Sequence, residues 1–141
     1  MGTISEHFSF SEFEASDTAK GMRIDNHIKD WDVRDNIVAL VNNVLEPLRT
    51  KWGGPLMINS GYRCPELNKA VGGVETSQHC KGMAADVRCT DPFALATLAK
   101  RMKLPFDQMI LYPSFVHFSH KREGENRCQI LYSSKYNGPK L

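Results

Sequence analysis

The longest regular pattern of apolar positions in this chain runs over residues 32–51. Ile37, Leu40, Val41, Val44, Leu45 and Leu48 recur at three- and four-residue intervals, the spacing that lines one side of a helix. Asp30 or Asp32 can cap its start, and Arg49, Lys51 and Gly53 suit its end. Pro47 falls inside the pattern and is expected to kink or end the last turn, because proline lacks the amide a helix needs. A second stripe, Phe93, Leu95, Ala96, Leu98, Ala99 and Met102, follows Asp91 as cap and Pro92 as first-turn residue. Shorter apolar runs over 56–59, 84–89, 109–112, 115–119 and 129–132 read as strands. Alternation puts Ala84, Asp86 and Arg88 on one face of their strand and Ala85, Val87 and Cys89 on the other. In the 115–119 run, Phe115, His117 and Ser119 face one way while Val116 and Phe118 face the core.

Turn chemistry joins these elements. Gly53-Gly54-Pro55 is a turn, Ser60-Gly61-Tyr62-Arg63 a corner, and Pro65 opens a short helix through Ala70 that Gly72-Gly73 stops. Residues 1–30 read as an irregular segment with one short helix, where Ser9 and Glu12 have capping-box spacing and Phe10 and Phe13 are its anchors. His7 and His27 lie there among polar residues and are assigned to the surface, and the tail over 133–141 reads as loose. Helices and strands do not alternate strictly and several strands meet at tight turns, which predicts an α+β fold with a small, largely antiparallel sheet. One face of that sheet packs on the two helices and the other is left free. With no internal repeat or linker, the whole of residues 1–141 is read as a single domain.

Composition changes this picture little. A chain of 141 residues can bury a core without metal or disulfide support, and 41% hydrophobic with 24% charged residues is ordinary for a globular protein. The net charge of +2 and the scatter of its basic residues argue against nucleic acid. The N-terminus lacks the pattern of a signal peptide, and no run approaches the apolar length of a membrane span, so the chain is expected to be cytoplasmic as synthesised, without a membrane partner, and monomeric. Cys64, Cys80, Cys89 and Cys128 form no C-x-x-C pair, and are expected as reduced, mostly buried thiols.

The stretch over residues 60–88 is where chemistry concentrates. His79 and Asp86 lie seven positions apart around Gly82, Arg63 lies sixteen residues before the histidine, and His117 sits in the apolar run over 115–119. Two imidazoles and a carboxylate are a common donor set for catalytic zinc, with a fourth position left to water. Taken singly the signals are weak. A histidine in a Ser/Gln/Lys/Gly loop is ordinarily solvated, whereas an imidazole inside an apolar strand needs a partner, a backbone carbonyl as readily as a metal. The joint pattern is stronger, because Gly82 permits the positive φ that would let one short loop present both His79 and Asp86.

That pattern, Ser77-Gln78-His79 to Asp86 with Ser60-Gly61-Tyr62-Arg63 upstream and Val116-His117-x-Ser119 downstream, resembles the zinc D-Ala-D-Ala carboxypeptidase family. That family also holds L-alanyl-D-glutamate endopeptidases of phage lysins, and its fold is hedgehog-like. The likeness extends over Leu45-Glu46-Pro47-Leu48-Arg49, Leu67-Asn68-Lys69-Ala70-Val71-Gly72-Gly73 and Phe106-Asp107-Gln108. It implies that His79, Asp86 and His117 hold Zn2+, that Arg63 grips a substrate carboxylate or the polarised carbonyl oxygen, that Ser77 lies near the substrate and that Gln108 shapes the site. It also implies a peptidoglycan peptide as substrate. The sequence departs from the family where a Glu, Asp or His ordinarily stands a few residues before the last zinc ligand. Tyr112 occupies the nearest position, with His120 and the more distant Asp107 as other candidates for general base. The competing expectations are a cell-wall peptidase, a zinc-stabilised peptidoglycan-binding module that does not cut, and a zinc-free relic of the site.

Overall fold

Pairing of the strand-like runs produces a five-stranded sheet in the order β1-β2-β4-β3-β5 in the computed structural model, which describes residues 2–141. The strands are β1 (Met57–Ser60), β2 (Ala84–Arg88), β3 (Gln108–Leu111), β4 (Phe115–Ser119) and β5 (Gln129–Tyr132). Every neighbouring pair is antiparallel except β3 and β5, so the expected α+β class and largely antiparallel sheet hold. Alternation sends Ala85, Val87, Met109, Leu111, Val116 and Phe118 into one buried cluster beneath the helices. Ser119, two residues from His117 on the same strand, is not solvated. It is fully buried, and its hydroxyl accepts the Gln108 amide at 3.0 Å.

The helices are α1 (Phe10–Glu14), α2 (Asp17–Met22), α3 (Trp31–Leu40), α4 (Glu46–Trp52), α5 (Pro65–Ala70) and α6 (Pro92–Arg101). Asp30 caps α3 through the Asp32 amide, and Asp91 caps α6 through the Ala94 amide. Pro47 does not end the long helix. The chain between α3 and α4 widens into a π-turn, Val41–Leu45, in which the Glu46 amide bonds back to Val41 O. This places Pro47 in the first turn of α4, where its missing N–H costs little, and the helix continues to Trp52.

Four further expectations are corrected. The first thirty residues hold two helices rather than one, and Phe8, Phe10 and Phe13 belong to the main core. His7 is no free surface group. Its ring lies 2.7 Å from Glu46 Oε2, and the same carboxylate accepts from Ser5 Oγ and His7 N, which ties the N-terminus to α4. His27, in contrast, is exposed. The tail folds back, since the Leu141 amide donates to the Tyr132 hydroxyl and Tyr136 stacks on Tyr132. All four cysteines are free, but none is fully buried and Cys128 is exposed.

Candidate metal centre

Cross-strand register makes the first half of the site. Asp86 of β2 and His117 of β4 are directly paired, so alternation alone brings both side chains to the open face, where His117 Nδ1 lies 2.7 Å from Asp86 Oδ1. His79 arrives from a 3-10 turn, Gln78–Lys81, that runs into β2. The Ser77 hydroxyl caps this turn by accepting the His79 amide at 3.2 Å, and Gly82 then reverses the chain at φ 73°. A side chain at Gly82 would strain that φ, and its Cβ would stand 2.6 Å from Val33 O of α3. Asn36 holds the same turn from α3 by donating to Lys81 O.

The His79 ring is oriented from behind. Its Nδ1 donates to Gly61 O at 2.7 Å, which leaves Nε2 facing Asp86 Oδ1 at 3.4 Å. The two imidazoles lie edge to face with centroids 5.3 Å apart. One donor atom from each of His79, Asp86 and His117 falls within 4.8 Å of the others. Bonds of about 2.0–2.1 Å to a tetrahedral ion set donor atoms roughly 3.4 Å apart, the separation His79 and Asp86 already show. Two imidazole nitrogens and a carboxylate are donors that zinc accepts, and the residues therefore fit it. Burial by itself would raise the Asp86 carboxyl, but hydrogen bonds from His117 and His79 outweigh it and hold the group well below the usual carboxylate range. A carboxylate that is ionised at neutral pH suits a cation-binding role.

Beside the cluster, a cavity of about 400 Å³ is lined by Ser60, Tyr62, Arg63 and Asp86, and by Ser16 and Asp17 at the start of α2. Arg63 Nε is buried there without a hydrogen-bond partner. Its position is set by residues that spacing did not single out. Asn26 donates to Tyr62 O and Glu14 O and accepts from Cys64 N, which clamps the corner on both sides of Arg63. On the other flank Gly73 leaves room for two side chains. A Cβ there would stand 2.1 Å from Asn68 Oδ1 and 2.9 Å from Arg63 Nη1. The Gly-Gly dipeptide was a legible signal, although it reads first as a helix stop.

The remaining candidates lie elsewhere or serve otherwise. His120 is turned toward the helix layer, 4% exposed, with Nδ1 on Pro105 O and Nε2 facing the Asn43 amide. Asp107 is buried in a two-pronged pair with Arg127, whose hydrogen bonds keep its carboxyl well below the usual range. Gln108 donates to Gln129 at the far side of the sheet. Ser77 caps the histidine turn. Tyr112 does lie on the open face, stacked on Phe115 at 4.3 Å, but burial and then the charge of Asp86 raise its phenol above the ordinary value. It therefore keeps its proton at neutral pH.

The sequence model of one protein family, described as peptidase M15, matches residues 6–120 of the chain. No curated protein matches it.

Proposed function

Because the chain belongs to the peptidase M15 family, we propose that it is a zinc metallopeptidase that hydrolyses peptidoglycan stem peptides, either trimming a terminal D-alanine or cutting within the stem. The observation that carries this reading is the convergence of His79 Nε2, Asp86 Oδ1 and His117 Nδ1 beside an arginine-lined cavity. Zinc, when bound, supplies an acidified water and a Lewis acid for the scissile carbonyl. The chain's own residues do the rest. The Gly61 carbonyl fixes the His79 tautomer, Asp86 stays ionised between the two imidazoles, and the unpaired Arg63 guanidinium is set to receive a carboxylate or a carbonyl oxygen. Substrate would be met at the cell wall, after release of the chain by a separate partner.

Tyr112 favours a second reading. A phenol that holds its proton cannot serve as general base, and the chain has no carboxylate or imidazole over residues 109–116. On that reading the site binds stem peptides without cutting them. Digestion of purified peptidoglycan, followed by mass spectrometry of the released peptides, separates the two. New amino groups that disappear with chelator and in His117→Ala support the peptidase; peptide binding with no release supports the module.

A further inference from the structure

The open face of the sheet carries a second row of side chains next to the metal-binding one. Strand register puts Ser60, Asp86, His117 and Ile110 side by side across β1, β2, β4 and β3. Two residues along β2 and β4 toward the β3–β4 turn, and three along β1 because its register shifts between Ile58 and Ser60, the next row on that face is Met57, Arg88 and Phe115, with Met57 opposite Arg88 and Arg88 opposite Phe115. Tyr112 completes it, since its amide donates to Phe115 O and its ring lies flat on the Phe115 ring at 4.3 Å and 12°. The rows are about 7 Å apart, the spacing of alternate residues in a strand.

This row is built unlike an ordinary solvated face. Met57 is 53% exposed, and the Tyr112–Phe115 stack beside it is half-buried. Arg88 is exposed among these apolar groups, lines a hollow with Met57 and Pro55, and forms no ion pair or side-chain hydrogen bond among the described residues. Arg63 lies at the opposite end. The chain leaves β1 past Ser60 to reach it, and its amide bonds to His79 O ahead of β2, whereas Arg88 closes β2. The two arginines therefore stand on opposite sides of Asp86 along the strand direction, Arg63 beside the approach to β2 and Arg88 at its end.

We propose that Arg88, flanked by the Tyr112–Phe115 stack, forms a second carboxylate subsite, so that the substrate is a peptide with an anionic group on each side of the His79–Asp86–His117 cluster. The inference rests on the stem-peptide reading above and narrows it. Removal of a terminal residue needs one carboxylate grip, at the chain end. Two grips that bracket the ligands suit a cut inside an acidic peptide, with the stack supporting the backbone between the metal row and Arg88.

The test is a two-by-two comparison on the full zinc-loaded chain. A synthetic stem pentapeptide is prepared with its glutamyl carboxylate free or amidated, and each is offered to wild type and to Arg88→Gln. Apparent affinity is read as KM where the peptide is cut and as Kd by calorimetry where it is not. The expected result is a loss of roughly five- to tenfold on either change alone, with no further loss when both are made. Losses that multiply, or an Arg88→Gln variant that binds both peptides like wild type, overturn the subsite. Wild type that binds the free and amidated peptides equally overturns it as well, and leaves the peptidase reading standing. Wild type that neither binds nor cuts either peptide overturns both.

Discussion

Gly73 makes the clearest case for a single residue that sets chemistry it does not itself perform. Its missing side chain is the space in which the Asn68 carboxamide and the Arg63 guanidinium sit. Asn68 cannot retreat freely, because it is buried and its amide donates to Val74 O. Gly73→Ala is therefore expected to displace Arg63 and raise KM for stem peptides, while zinc stoichiometry stays at the wild-type level because no ligand is touched. Kinetics beside metal analysis checks both halves, and an unchanged KM would show that the glycine does not set the arginine. At this scale the donor set was legible, since His79, Asp86 and His117 stand out by type and spacing. Alternation also turns His120, three residues on, away from His117's face, but what holds its ring there and what keeps the proton on Tyr112 were not legible, because they depend on Pro105, Asn43 and Asp86, none of them a near neighbour in sequence.

Among the elements, α4 is where the far end of the chain is fastened. Glu46 accepts from Ser5, His7 and Thr50. Burial would raise its carboxyl, yet the hydrogen bonds from Ser5 and His7 lower it from 4.5 to about 2. A folded-state value below the unfolded one means that the stabilisation is complete above pH 4.5 and is lost as pH falls toward about 2. Glu46→Gln should thus lower the denaturant midpoint at pH 7 and have progressively less effect as the pH approaches 2. Equal effects at both ends would assign the change to packing alone. The same stretch shows how far periodicity reaches. It marked the buried stripe from Ile37 to Leu48 and the disruptive proline, but the way out of the conflict, a π-turn one step earlier, depends on what the widened turn packs against.

For the whole molecule, the cluster is placed to work as a fastener. It joins β2, β4 and the 3-10 turn, and that turn leans on α3 through Asn36 and Gly82. An ion bound only by the folded chain adds stability by mass action, about 2.7 kcal/mol at a hundredfold excess over its dissociation constant. Chelation is accordingly expected to lower the thermal midpoint, and His117→Ala should lower the midpoint in zinc and respond little to chelator. Calorimetric scans with and without zinc check this, and a wild-type midpoint indifferent to the metal would argue against the site. No helix among the described residues is long and apolar enough to cross a membrane.

The sequence by itself determined the local geometry. Side-chain periods of two and 3.6 put Asp86 and His117 on open faces, caps and turn residues marked where helices start and stop, and residue type restricted the chemistry to a His/Asp/His set. Only the tertiary structure decided what stands behind that set. Gly61 O selects the His79 tautomer from 18 residues away, Asn26 holds Tyr62 across 36, and His7 reaches Glu46 across 39. Such contacts follow from which loops close and which faces meet, and a one-dimensional pattern carries no record of either.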